Sequence, residues 1–348
     1  MVLRGGSSKG LYFLRDDLPT DDASRDDLLL RIMGSPDARQ IDGLGGAHPL
    51  TSKVAIVGSS AHPGADVDYQ FLQIGVDEPL VSDRQNCGNL LAGVGPFAIE
   101  RGLVTTGSDA SEVHVRIHMV NTATIAVAAV PVADGAPAYD GNTAISGVPG
   151  TAAAIQLEFD DIAGGSTGAL LPTGRAVDTI DGVACTLIDN GMPVVVMRAD
   201  ALGVDGHESC AELESNTRLR TRLESIRLEA GRRMGLGDVR DTTIPKLTLV
   251  AEPVDGGQLS TRTFIPHRCH DAIGVLGALS VATAALLPGT PAAEVAAPGS
   301  TDHFVLEHPT GLFEAAVSVS IVGDIPTVDR AGIIRTARKL MDGYAFAR

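Results

Sequence analysis

Apolar and polar positions alternate with a period of two through much of this chain, which is the pattern of half-buried strands. Val67, Tyr69 and Phe71 share one parity between Asp66 and Ile74, and Val113, Val115, Ile117 and Met119 share one parity further on. Val54-Ala55-Ile56-Val57 is a short apolar run, Thr124 to Val132 is another β-type run, and Ala133-Asp134-Gly135-Ala136-Pro137 is a turn. The second half repeats the texture, with strands expected near Val183–Ile188, Pro193–Met197, Lys246–Ala251 and Arg262–Ile265.

Helical spacing interrupts this in four places. Ser24 to Gly34 reads as a helix, with Ser24 as N-cap, Asp26 and Asp27 in its first turn, and Gly34-Ser35-Pro36 as its stop. Leu219, Leu223, Ile226, Ala230 and Met234 fall at steps of four, three, four and four, ending at Gly235, and predict an outer helix packed on a sheet. The remaining two segments look alike. Asn86-Cys87-Gly88-Asn89 leads into Leu90 to Ile99, and Arg268-Cys269-His270-Asp271 leads into Ala272 to Ala282. Both are apolar nearly all round and should be buried on every side, each with a cysteine just before its first turn. Two similar lobes are therefore expected, residues 1–160 and 161–330, each a mixed or antiparallel β-sheet or barrel wrapped around a central buried helix. Residues from about 330 to 348 are expected to pack back on the first lobe. The fold class is α+β, with the helix starts facing a shared cleft.

Composition narrows the functional classes. The 348 residues are 44% hydrophobic but only 3% aromatic with no Trp, so the core is aliphatic, and such apolar mass excludes a disordered chain. Length alone suggests about two domains. A net charge of −16 argues against nucleic acid as the main partner. No run approaches the roughly 20 apolar residues that span a bilayer, and the start, Met1-Val2-Leu3-Arg4-Gly5-Gly6, lacks the hydrophobic region of a signal peptide. The four cysteines show no CxxC spacing and no metal-type pairing with the nine histidines, so free thiols, no metal and a cytoplasmic location are expected.

Four places can carry chemistry. Cys87 at a helix start lies among unpaired backbone N–H groups that favour thiolate, with Gly88 permitting close approach and Asn86 and Asn89 offering hydrogen bonds. Its plainer alternative is a buried cysteine packed as a small hydrophobe. Cys269 either repeats that role or packs inertly while Arg268, His267 and His270 bind carboxylate; the second is favoured. Lys53 begins an apolar strand; it is a solvated charge, or a lysine drawn into a cleft where lost hydration makes it a base. Arg4-Gly5-Gly6-Ser7-Ser8-Lys9-Gly10 lacks the GxxxxGK(S/T) spacing of a phosphate loop, yet its amides, hydroxyls and Arg4 suit a carboxylate as well as an ordinary turn. GxGxxG, HExxH and GxSxG are absent, so NAD, zinc hydrolysis and serine hydrolysis lack their signatures.

Several of these segments together resemble one family. The stretch from Arg4 to Gly10, Met33-Gly34-Ser35-Pro36-Asp37-Ala38-Arg39-Gln40-Ile41-Asp42-Gly43-Leu44-Gly45-Gly46, Thr51-Ser52-Lys53-Val54-Ala55, Asn86 to Asn89, Gly147-Val148-Pro149-Gly150-Thr151 and Leu171-Pro172-Thr173-Gly174 are similar to the 2-methylaconitate isomerase (PrpF-like) family, over essentially the whole chain. Asp189 to Arg198 and the stretch Arg335 to Leu340 look most like its 4-oxalomesaconate tautomerase branch, which acts in bacterial breakdown of gallate and related aromatics. The resemblance implies a diaminopimelate-epimerase-like fold and a cofactor-free 1,3-allylic proton shift on an unsaturated polycarboxylate. 2-Methylaconitate or methylitaconate is the alternative substrate. The family lysine matches Lys53 and its cysteine matches Cys87. Carboxylates would be held by Arg4, Ser7, Ser8, Ser52, Asn86, Gly88 and Asn89 in the first lobe, and by Lys246, Arg262, His267 and His270 in the second on chemical suitability. Only three residues precede Arg4, where relatives have several more, so a shortened first strand is expected. The partners expected are the small polycarboxylate and a second copy of the chain in a homodimer, with no cofactor, nucleic acid or membrane.

Two rival readings remain. A two-cysteine epimerase would need Cys87 and Cys269 and dispense with Lys53, whereas an accessory binding protein would hold a polycarboxylate without exchanging its protons.

Overall fold

The computed structural model describes residues 1–83, 87–300, 303–323 and 325–347. The chain divides into two compact units, Met1–Asp160 with Ile334–Arg348, and Asp161–Ile333.

The first unit contains β1 (Val2–Gly5), β2 (Ser8–Leu14), β3 (Lys53–Ser59), β4 (Val67–Ile74), β5 (Val81–Ser82), β6 (Glu112–Met119), β7 (Thr124–Ala133), β8 (Ala136–Pro137) and β9 (Ala154–Phe159). The second contains β10 (Asp178–Ile180), β11 (Val183–Asp189), β12 (Pro193–Arg198), β13 (Lys246–Ala251), β14 (Leu259–Ile265), β15 (Arg268–Cys269), β16 (Phe304–His308) and β17 (Gly311–Val322). The last strand, β18 (Ile325–Met341), has its first part in the second unit and its final residues in the first. The helices are α1 (Asp22–Met33), α2 (Gly88–Leu91), α3 (Val94–Glu100), α4 (Cys210–Ser215), α5 (Thr217–Arg233), α6 (Val275–Leu286) and α7 (Pro291–Val295).

In the first unit the strands close into a ring. β1 pairs antiparallel with both β2 and β18, β2 runs parallel to β3, β3 antiparallel to β4, and β4 parallel to β6. β6, β7 and β9 continue antiparallel, and β9 pairs with β18. Strand alternation then sorts the side chains. Leu11, Val54, Ile56, Leu72 and Ile74 face outward under α1, which covers them with Leu29, Ile32 and Met33. Gly10, Tyr12, Ala55, Val57, Tyr69 and Phe71 have the opposite parity and face α2 and α3. Those helices supply Leu90, Leu91, Val94, Phe97 and Ala98, all essentially without solvent exposure. Each fully buried aliphatic or aromatic side chain of this kind is worth about 1.5–3 kcal/mol. Tyr12 fastens helix to wall, its hydroxyl donating to the Leu90 carbonyl at 2.6 Å and its ring lying 5.8 Å from that of Phe97.

In the second unit β11 to β14 form a sheet in sequence order, with β12 and β13 parallel, and β14 leads through β16 to β17 and β18. α5 packs Leu219, Leu223, Ile226 and Ala230 against Leu187, Val195, Leu247, Leu249 and Phe264. α6 is packed against β11, β12, β16 and β17, and its stretch from Gly277 to Ala285 is buried throughout. The expected architecture of two lobes, each built on a buried helix, is what the structure contains.

Four details differ from the expectation. The N-cap of α1 is Asp21, whose carboxylate accepts from the Ser24 amide, so Ser24 lies inside the first turn. The apolar stretch after Cys87 is two helices rather than one. Ala92 and Gly93 form the break, and Pro96, which has no N–H to donate, falls in the first turn of α3 where none is required. Cys269 does not precede the first turn of α6. It sits in β15, and Gly274 is the N-cap of a helix that begins at Val275. Finally, Phe304 to Met341 is almost entirely strand, which the local pattern did not disclose. Among the described residues no helix is long and apolar enough to cross a membrane.

Candidate active site

Lys53 is the first residue of β3, on the inward parity, and only 7% exposed. Its cross-strand neighbour on β4 is Gln73. The Lys53 Nζ donates to Gln73 Oε1 at 2.7 Å, while Gln73 Nε2 donates to the carbonyls of Ser52 at 2.9 Å and Pro49 at 3.0 Å. Those two backbone acceptors leave the Gln73 amide one sensible orientation, with its oxygen toward the lysine. The ring of Phe71, two residues along the same face, has its centroid 5.0 Å from Nζ. Both contacts are with neutral groups.

The start of α2 lies on the same side of the wall. A methyl group on Gly10 would fall 2.8 Å from both the Lys53 carbonyl oxygen and the Leu90 Cδ2. Only glycine at this position lets the residue three past Cys87 close onto the Lys53 backbone. Cys87 is the N-cap residue of α2, half-buried, with no side-chain cap bond. Its carbonyl accepts from Leu91 N–H and, at 3.3 Å, from the Tyr69 hydroxyl. Burial first, and then the neighbouring Cys87, push the pKa values of Tyr12 and Tyr69 well above the usual phenol range, so both phenols stay protonated beside the thiol.

The β1–β2 turn completes this end. Asn89 Nδ2 donates to Ser7 Oγ at 3.2 Å, and any side chain on Gly6 (φ +50°) would collide with Asn89. Ser8 is 1% exposed and its hydroxyl has no hydrogen-bond partner in the structure. Ser7, Ser8, Lys53, Cys87, Gly88 and Asn89 are thus gathered on one side of the wall.

Other expected site residues stand elsewhere. Arg4 pairs in register with Lys9, on the outward parity, and its Nη1 donates to the Gly6 carbonyl and to the Thr336 carbonyl and hydroxyl, each at 2.9 Å. Ser52 also has the parity opposite to Lys53, and its hydroxyl accepts from Gln40 Nε2 at 2.7 Å. Asn86 lies outside the described residues. In the second unit, Lys246 begins β13 beside the N-cap of α6: a Cβ on Gly274 would lie 3.6 Å from its Nζ. Burial lowers the Lys246 pKa. Arg262 donates to the carbonyls of Glu208 at 2.7 Å and Thr261 at 2.9 Å. His267 lies 3.6 Å from a Glu224 carboxylate oxygen, and His270 Nδ1 faces the Ala272 backbone. Cys269 packs against Cys210, with 3.1 Å between sulfurs, and burial drives its pKa far above the usual thiol range.

Gln73 went unnoticed at the level of sequence. Its alternation with Phe71 and Tyr69 marked a strand face, but nothing local says that Lys53 pairs opposite it.

Comparison with known proteins adds to this geometry. The chain is 56% identical over 348 residues to the (4E)-oxalomesaconate Delta-isomerase of Novosphingobium sp. (strain KA1), covering 99% of this chain and 96% of that one. It is 54% identical over 345 residues to the 4-oxalomesaconate tautomerase of Pseudomonas putida, covering 99% and 94%. A crystal structure of methylitaconate-delta-isomerase superposes with a TM-score of 0.89 at 35% identity, over 99% of this chain and 94% of that chain. The family model described as PrpF protein matches residues 1–348, so this chain belongs to the PrpF protein family.

Proposed function

We propose that this protein is a cofactor-independent isomerase that moves a proton along a three-carbon allylic system, with 4-oxalomesaconate as its substrate. The reading rests on relatives above 50% identity that carry that activity in their names. The observation that carries the chemistry is the Lys53 amine, buried, hydrogen-bonded to the orientated Gln73 oxygen, and free of any carboxylate contact at that hydrogen bond.

The acidic C–H of such a substrate is conjugated through a C=C to a carbonyl or carboxylate. Lys53, as the amine, removes that proton, and the electron pair spreads over the conjugated system as a dienolate. The Cys87 thiol returns a proton to the far carbon, which completes the double-bond shift. The ammonium of Lys53 and the thiolate of Cys87 then exchange a proton through solvent to restore the starting state. No electron is gained or lost, so the reaction is complete with these two groups. Ser7, Ser8, Gly88 and Asn89 hold the carboxylates near the amine. Positioned acid–base groups of this kind supply about 10²–10⁴-fold each.

Incubation with 4-oxalomesaconate in D2O, followed by NMR, tests the proposal: deuterium enters the allylic carbons as the double bond shifts. Failure to exchange any unsaturated tricarboxylate would leave the binding-protein reading in its place. Methylitaconate is the second substrate to try, because the superposed crystal structure bears that activity in its title. A higher kcat/KM for methylitaconate would reassign the substrate without altering the chemistry.

A further inference from the structure

Two thiols of the second unit, unused by the proposed proton transfer, are in direct contact. Cys210 is the first residue of α4 and half-buried, and Cys269 ends β15 and is buried. Their sulfurs are 3.1 Å apart, inside the roughly 3.5–4.0 Å of an ordinary contact between carbon atoms. A disulfide has about 2.0 Å between its sulfurs, so forming one here asks for an approach of about 1 Å. The contact is held from both ends of α4. A capping box fixes the start of the helix, with Ser209 Oγ accepting from the Glu212 amide and the Glu212 carboxylate accepting from the Ser209 amide. Near its other end, Glu214 accepts the Cys269 N–H at 3.1 Å and so fastens β15 to α4.

The two sulfurs are not equivalent. Burial raises the pKa of both, and drives that of Cys269 far above the usual thiol range. At Cys210 the hydrogen bond from Cys269 and the charge of Arg262 act against burial. Cys210 is therefore the easier to ionise as well as the more exposed. The thiolate is the nucleophile in sulfur oxidation, so Cys210 reacts first and Cys269 is placed to resolve it. The two residues lie 59 apart in sequence, with α5, β13 and β14 between them. A bond joining them removes much of the freedom of that span in the unfolded chain.

We propose that Cys210 and Cys269 form an oxidation site, converted to a disulfide by a small hydroperoxide and restored by a dithiol. The Cys210 sulfur attacks the peroxide O–O bond, which gives a sulfenic acid and one water. The Cys269 sulfur then attacks the Cys210 sulfur, forms the S–S bond and expels the hydroxyl as a second water. Both thiol protons end in these waters, and the two electrons lost by the sulfurs reduce the peroxide. The linked form ties α4 covalently to β15 and resists unfolding. The site rests on the geometry of this pair and not on the proposed function.

Incubation of the full chain with hydrogen peroxide, then proteolysis without reductant and mass spectrometry, tests it. The expected product is a Cys210 peptide joined to a Cys269 peptide, lighter than their sum by two hydrogens and separated by dithiothreitol. The thermal midpoint should rise by roughly 5 °C or more with the link and fall back on reduction. Cys210→Ser should show neither the link nor the rise. Glu214→Ala keeps both thiols but frees β15 from α4, and should slow the linkage several-fold. Sulfinic acids at the two positions without a link, a link to Cys87 or Cys185 instead, or thiols that survive excess peroxide would each overturn the proposal. The wild-type peptide map decides between these outcomes even if a variant does not fold.

Discussion

The two units each place a cysteine ahead of a buried apolar helix, and the two cysteines end in opposite environments. Cys87 is the N-cap residue of α2, half-buried, on the same side of the wall as Lys53 and near two protonated phenols. Cys269 is separated from α6 by five residues and lies in a two-residue strand. There it joins the cluster of Leu213, Phe264 and Cys210, and burial disfavours its thiolate. A thiol before a helix is therefore no guide to reactivity by itself. What matters is whether the chain enters the helix at that residue and what the residue then faces. The same contrast applies to the lysines: Lys53 has an oriented acceptor in Gln73, whereas Lys246 lies close to Gly274 and burial disfavours its charge.

The sharpest test of this contrast is removal of the amine. Lys53→Met should lower kcat by about 10²–10⁴-fold with its thermal melt nearly unchanged, and deuterium uptake at the allylic carbons should stop. Cys87→Ser comes next, with a loss on the order of 10²-fold in turnover, whereas Cys269→Ala should stay within a few-fold of wild type. Equal losses from the two cysteine variants would end the comparison and restore the epimerase reading. A smaller effect is expected at Gln73. In Gln73→Glu a carboxylate beside Nζ favours the ammonium, so a higher pH is needed to reach the amine. The alkaline-rising limb of kcat/KM should then move up by about one unit or more, with roughly a tenfold loss near neutrality. Gln73→Leu should lower kcat without that upward shift. If both profiles match wild type, Gln73 does not position the base. The smallest effect is on stability: Cys269→Ala removes packing around Cys210 and should cost about 1 kcal/mol in a denaturant melt.

Much of the molecule was visible in local pattern, and the reasons for the exceptions are physical. β4 and β6 announce themselves by alternation, β3, β7, β11, β12 and β13 by short apolar or β-type runs, and α5 by its apolar stripe. β17 and β18 do not, because residues 331–337 are mostly buried on both parities while the ribbon's outer end is partly exposed on both, so neither stretch carries a clean period-two contrast. The N-cap of α1 moved by three residues because Asp21 and Ser24 are both good capping residues, and only the hydrogen bond distinguishes them. Within the site, Lys53, Cys87, Ser7 and Asn89 could be named from their motifs. Gln73 could not, since its role arises from the antiparallel register of β3 against β4. For Arg4 the motif and the wall disagree: the Gly-rich stretch suggests a carboxylate cradle, yet strand parity turns the guanidinium to Thr336 on the outer face.

Local order along the chain was enough to settle which segments are strands, which helices must be buried, and that one lysine and one cysteine deserve attention. Side-chain periodicity and capping chemistry act over a few residues, so a sequence carries them openly. The pairing of strands distant in sequence decided the rest. It set Gln73 against Lys53, closed Leu90 over Gly10, took Cys269 out of reach of α6, and aligned Lys9, Arg4 and Arg338 across three strands. A shift of register by one residue would send each of these side chains to the opposite face, and no local pattern encodes that choice.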